Sequence, residues 1–254
     1  MFDSGVGGLT VFREIARALP RQSLIYLGDS ARVPYGTKSP ATVVRYSLEA
    51  ARHLLSRGVT MLVVACNTAT AAALPTLRAE LSIPVIGVVE PGARAAVEKT
   101  SGVIGVIATE GTVRSRAYTN AIKALDPDVE VIESAAPLFV PLAEEGWANT
   151  HVAREVAEIY LEPLIDAGID TLVLGCTHYP ILRGTIEQVV GEAVHIVDSA
   201  ETTAQMVKEA LGATAVVQAA HHQFLVTDAE ERFRRIAGEF LEQEIQNLEL
   251  VSLG

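Results

Sequence analysis

"TMLVVACNTATAAALPTLRAEL", Thr60 to Leu81, decides the fold. Met61 to Ala65 is a short unbroken apolar run, the length of a buried strand. From Thr68 onward the residues are small or apolar and read as helix. Strand and helix are separated by little more than Cys66, which places that thiol at a strand-to-helix turn. "LVLGCTHYPILR", Leu172 to Arg183, has the same design around Cys176, and these are the two cysteines of the 254-residue chain.

The same rhythm extends outward in both directions. "LTVFREIARALP" places Phe12, Ile15, Ala16 and Leu19 at helical spacing and stops at Pro20. "SLIYLGD" is a strand ending at Gly28. "SPATVVRYSLEAARHLLSRG" is a helix with Ser39 as its cap, Pro40 in its first turn and Gly58 at its end. "IPVIGVV" is the next strand. The pattern then restarts with strand "GVIGVIAT", helix "VRSRAYTNAIKAL", strand "VEVIES", helix "VAREVAEIYLEPLIDAG", and strands "DTLVLG" and "HIVD". "ERFRRIAGEFL" is amphipathic helix, and "IQNLELVSL" closes as strand. Alternating β and α segments with short connections predict parallel sheets covered by helices.

The two passes superpose. At a shift of 110 residues Gly58 meets Gly168, Val59 meets Ile169, Leu62 meets Leu172, Val63 meets Val173, Cys66 meets Cys176 and Ile86 meets Ile196. "DSG" at Asp3–Gly5 is similar to "TEG" at Thr109–Gly111. An internal duplication is expected, each half carrying its cysteine just past the carboxyl end of a central strand.

Composition narrows the function. The net charge of −11 argues against a nucleic-acid or anionic-membrane partner, while leaving room for a small anionic substrate. No apolar run reaches the ~18 residues of a membrane span, and the N-terminus has no secretory pattern. A soluble cytoplasmic protein is expected. Two cysteines are too few for a disulfide framework, and such a compartment disfavours a single bridge. Cys176 with His178 is only a two-ligand fragment of a zinc site. G-x-S-x-G is absent, and "DSGVGG" fits neither phosphate-loop pattern. His53, His195 and the pair His221–His222 read as structural, and Trp147 is unassigned.

Inert core thiols and a reactive pair remain. Ligands of open α/β sheets bind beyond the carboxyl ends of the strands. If the halves pack face to face, the thiols approach one ligand from opposite sides, as inversion of a carbon stereocentre requires. Asn67 and Thr68 follow the first thiol, and Thr177 and His178 the second. Asp3 and Glu144 are placed to relay protons or orient the thiols.

"DSGVGGLTV", "GDSARVPYGTKS", "ACNTATA", "VPLAEEG" and "GCTHYPIL" occur in this order, and with them the chain resembles the glutamate racemase family along essentially its whole length. The resemblance implies two similar flavodoxin-like α/β domains with parallel-sheet cores, related by pseudo-two-fold symmetry, with the active site between them. The first would comprise residues 1–91 and 200–254, the second 92–199. It implies interconversion of L- and D-glutamate without pyridoxal phosphate or metal, supplying D-glutamate for bacterial peptidoglycan, and a homodimer. Cys66 would take the proton from D-glutamate, assisted by Asp3. Cys176 would take it from L-glutamate, assisted by His178 and Glu144. Asp3, Ser4, Tyr35, Gly36, Asn67, Thr68, Thr177 and His178 would hold the substrate, and Thr109 would line the site. Alternatives are a racemase of aspartate or a related acidic compound, and a non-catalytic binding protein on the same scaffold. Family members usually have several residues before "FDSG", whereas here only Met1 and Phe2 precede Asp3. The expectation is a first strand shortened by an upstream start or trimming, with Asp3 and Ser4 less firmly placed.

Overall fold

The computed structural model describes residues 1–212 and 220–253. The chain divides into two compact units, Met1–Val88 with Ala200–Gly254, and Val89–Ser199.

The first unit is built on a six-stranded parallel sheet. Its strands are β1 (Phe2–Asp3), β2 (Leu24–Gly28), β3 (Leu62–Val64), β4 (Val85–Gly87), β9 (His222–Val226) and β10 (Leu248–Leu250). Their spatial order is β10-β9-β2-β1-β3-β4. The helices are α1 (Leu9–Ala18), α2 (Pro40–Ser56), α3 (Asn67–Glu80), α10 (Ser199–Leu211) and α11 (Glu230–Leu241). Phe2, Leu27, Leu62, Val64, Ala69, Ala73 and Leu77 share one buried core with Val43, Ala50 and Leu54 of α2. The apolar stripes of α2 and α3 are covered by this sheet, and each residue of β3 is buried.

Although β1 has only two residues, it is held on both sides. Phe2 pairs with Leu27 and with Val64. The Asp29 amide donates to Asp3 O at 3.0 Å and the Ala65 amide to Phe2 O at 2.9 Å. Asp3 is fully buried. The looser placement expected for it is not found, because β2 and β3 pair with β1 on either side and the residues that follow them, Asp29 and Ala65, bond its backbone.

The second unit has a four-stranded parallel sheet in the order β6-β5-β7-β8. Its strands are β5 (Val103–Ala108), β6 (Glu130–Ala135), β7 (Thr171–Gly175) and β8 (His195–Asp198). Its helices are α4 (Val89–Lys99), α5 (Glu110–Ser115), α6 (Ala117–Leu125), α7 (Phe139–Glu144), α8 (His151–Asp166) and α9 (Arg183–Val190). Ile104, Val106, Tyr118, Ile122, Val173 and Val197 form its core with Val89 and Ala93 of α4.

The order β6-β5-β7-β8 repeats β2-β1-β3-β4, so the internal repeat seen in the sequence is also a repeat of topology. Gly58 and Gly168 end α2 and α8 in the same way. Each has a left-handed φ, 79° and 77°, and each amide donates three residues back at 2.9 Å. Glycine adopts that conformation without a Cβ clash, which is why both copies end their helix on it. The repeat is not exact in register. Leu62 pairs with Val85, whereas Leu172 pairs with Ile196, one residue further along.

One expected helix is two. The segment from Val113 to Leu125 breaks at Arg116, whose φ is 54°. Thr109 caps α5 by accepting from the Thr112 amide, and Ser115 Oγ donates to Thr112 O while accepting from the Ala117 amide. Side-chain bonds thus compete with the helix ladder at the break. Among the described residues no helix is long and apolar enough to cross a membrane.

Candidate functional site

In the first unit the site residues gather beyond the carboxyl ends of β1, β2 and β3. β1 lies inside the sheet, between β2 and β3, and delivers Asp3 there. Asp3 Oδ2 accepts from the Gly5 amide at 2.9 Å. The turn that follows enters α1 through Gly8. A Cβ on Gly8 would lie 2.6 Å from Asp3 Cβ and 2.9 Å from Ala65 Cβ, so only glycine lets this turn close over Asp3.

Cys66 occupies the N-cap of α3. Its Sγ accepts from the Ala69 amide at 3.4 Å and donates to Ser4 Oγ at 3.7 Å. A thiolate here faces the positive end of a helix dipole, which favours the ionised form. Asn67 and Thr68, the first two residues of α3, are buried beside it.

Tyr35 and Gly36 are buried on the loop between β2 and α2. The Tyr35 hydroxyl donates to Asp29 Oδ2. Burial, reinforced by the Asp29 carboxylate, pushes the phenol pKa far above its usual value and keeps it protonated. Among the described residues neither the Tyr35 nor the Gly36 amide donates a hydrogen bond.

In the second unit Cys176 follows β7 directly. Its Sγ lies 3.8 Å from His178 Nδ1, and His178 Nε2 lies 3.0 Å from Glu144 Oε1 at the end of α7. Cys176, Thr177 and His178 are buried. Burial alone would push the imidazole pKa down. The bonds to Cys176 and Glu144 outweigh it and raise His178 to about 10. A protonated imidazole here sets a positive charge 3.8 Å from the Cys176 sulfur. Thr109 caps α5 beyond the end of β5.

Asp29 and Tyr118 were not singled out in the sequence. Tyr118 is fully buried, and burial first, then the charge of Cys176 among others, holds its phenol protonated, partly offset by a bond to Ser199. His195 is exposed at the start of β8, and His222 packs its edge on Phe12 at 5.2 Å. Trp147, half exposed, lies between α7 and α8. Among the described residues no group of three His, Cys, Asp or Glu side chains is arranged to hold a metal ion.

Comparison with known proteins agrees with this chemistry. A family model described as Asp/Glu/Hydantoin racemase matches residues 6–207. A curated glutamate racemase of Geobacter metallireducens is 55% identical over 258 residues, spanning 100% of this chain and 96% of that protein. The crystal structure of a glutamate racemase isoform from Bacillus anthracis matches with a TM-score of 0.94 at 42% identity, covering 99% of this chain and 96% of that one. A glutamate racemase from Francisella tularensis, solved in complex with D-glutamate, matches with a TM-score of 0.91 at 37% identity, covering 99% and 96%. The chain belongs to the Asp/Glu racemase family.

Proposed function

We propose that the chain is a glutamate racemase, an isomerase that interconverts L- and D-glutamate by moving protons between substrate and thiols, with neither pyridoxal phosphate nor a metal. The observation that carries this reading is that each unit holds one buried thiol just past a strand end, each with its own polar partner. The full-length relatives favour glutamate over aspartate as substrate.

Inversion at one carbon needs a base on one face and an acid on the other, so the reading requires both thiols to serve one substrate. The Cys176 thiolate takes the α-proton of L-glutamate, leaving the electron pair on Cα. The Cys66 thiol then delivers its proton to the opposite face, which yields D-glutamate, a Cys66 thiolate and a Cys176 thiol. The reverse direction begins at Cys66. His178, held by Glu144, supports charge on Cys176. Asp3, Ser4 and the N-terminus of α3 do so for Cys66. The amides of Tyr35 and Gly36, with Asn67, Thr68 and Thr177, bind the substrate's carboxylates and ammonium. With this reading come a cytoplasmic homodimer and a supply of D-glutamate for bacterial peptidoglycan.

The test is L-glutamate in D₂O with reduced protein and no added cofactor, following Cα–H loss by NMR and D-glutamate by chiral chromatography. Exchange with inversion is expected. Absence of exchange from a folded sample would rule out the glutamate reading and direct the assay to aspartate and other diacids.

A further inference from the structure

Asp29 follows β2 and is fully buried, yet the chemistry described above makes no use of it. Three side chains converge on its carboxylate. Oδ2 accepts from the Tyr35 hydroxyl and from Arg32 Nε at 2.6 Å, and Oδ1 accepts from Thr227 Oγ1 at 3.0 Å. Its own amide donates to Asp3 O. One residue therefore ties together the ends of β1 and β9, the turn after β2 and the loop bearing Tyr35 and Gly36.

The tie continues outward. Arg32 also donates to Glu49 of α2, and its guanidinium lies 4.1 Å from the centre of the Tyr46 ring. The Tyr35 and Tyr46 rings are 5.7 Å apart. Thr227 Oγ1 accepts from the Ala31 amide at 2.9 Å. The loop is thus fixed from both flanks, and its hydroxyl is already committed as a donor to Asp29. What Tyr35 and Gly36 have left to offer an anion is their amides, carried on a loop that the Tyr35 ring anchors.

We propose that Asp29 is a positioning residue for substrate. Its carboxylate, by accepting from Tyr35, Arg32 and Thr227, fixes the loop so that the Tyr35 and Gly36 amides meet a substrate carboxylate. This rests on the reading of those amides as the carboxylate site. Asp29 acts through the loop and does not touch the reacting carbon, so its loss weakens binding more than turnover.

The test is steady-state racemisation in both directions by the full chain carrying Asp29→Asn, with thermal melting in parallel. The amide keeps the size of the side chain but cannot accept all three donors. KM is expected to rise on the order of tenfold for both enantiomers, the effect of losing hydrogen bonds to a charged group. kcat is expected to stay within about threefold. Tyr35→Phe cuts the same link from its other end, leaves the buried carboxylate in place and keeps the test alive if Asp29→Asn does not fold. It too should raise KM, and the double variant should be no worse than the worse single one. An unchanged KM in either folded variant overturns the proposal, as does a fall in kcat at constant KM or full additivity of the two changes. A wild-type chain silent on glutamate overturns the racemase reading itself, a result distinct from normal wild-type activity with unaltered variants.

Discussion

His178 stands between Cys176 and Glu144, with Nδ1 3.8 Å from the sulfur and Nε2 3.0 Å from Oε1. Thirty-four residues separate the imidazole from its carboxylate, and the end of α7 closes that gap. Because His178 is raised to about 10 in the fold, its charge stays beside the Cys176 sulfur through the neutral range. An unperturbed histidine would have lost it near pH 6.5.

The sign of the pH dependence follows. The folded pKa lies above the unfolded one, so the stabilisation from His178 is complete below about 6.5 and is lost as pH rises through about 10. Urea midpoints of wild type and His178→Asn should therefore differ most in weak acid and converge toward pH ~10. Glu144→Gln removes one of the groups holding the proton while the burial remains. The alkaline limit of L-glutamate turnover should then move to lower pH. A midpoint difference that is flat with pH would show that the pair is not charged in the fold.

Serine separates the chemistry of Cys66 from its structural role. Cys66 caps α3 by accepting from the Ala69 amide. Serine is a good cap, so Cys66→Ser should melt close to wild type, whereas Cys66→Ala should lose roughly 0.5–2 kcal/mol. Both should reduce racemisation by about 10² to 10⁴, the usual contribution of a general acid or base. Cα exchange in D₂O tells the thiols apart: with Cys176 intact, Cys66→Ser should wash out L-glutamate far faster than D-glutamate, and Cys176→Ser should reverse that preference. Equal exchange of both enantiomers in either variant would contradict one thiol per face.

The framework was legible because its strands are short apolar runs bounded by Gly and Pro, and both thiols sit at their ends. What escaped reading has identifiable causes. α4 carries Pro91 and Gly92, residues that interrupt a helical pattern, but Pro91 lies in the first turn of the helix, where its missing N–H costs nothing. His221 and the first residue of β9, His222, obscured a five-residue strand that owes its place between β2 and β10 to pairing on both sides. The break at Arg116 depends on where the hydroxyls of Thr109 and Ser115 point, which periodicity does not report. In the site, Cys66, Asn67 and Thr68 are contiguous and easily seen as a group. Asp29 is a single carboxylate after a strand, and its partners lie 3, 6 and 198 residues away. Only the folded chain shows them converging.

Asp170 gives a prediction for the second unit that is independent of catalysis. Its Oδ1 accepts from the hydroxyls of Thr100 and Thr171, and its Oδ2 from the amides of Ser101 and Val103 and the Ser101 hydroxyl. These bonds pin the turn after α4 to the start of β7, beside the first residue of β5. Burial alone would push its pKa up, but the donors outweigh it and hold the carboxyl at about 2. The folded pKa is thus below the unfolded one, so the stabilisation is present above about 3.9 and is lost as pH falls through about 2. Asp170→Asn should lower the melting temperature near neutral pH, and the gap from wild type should narrow steadily in acid. Melts of both proteins across that range check it. A gap that persists unchanged below the folded pKa would mean that the substitution acts through the geometry of the turn and not through the charge on Asp170.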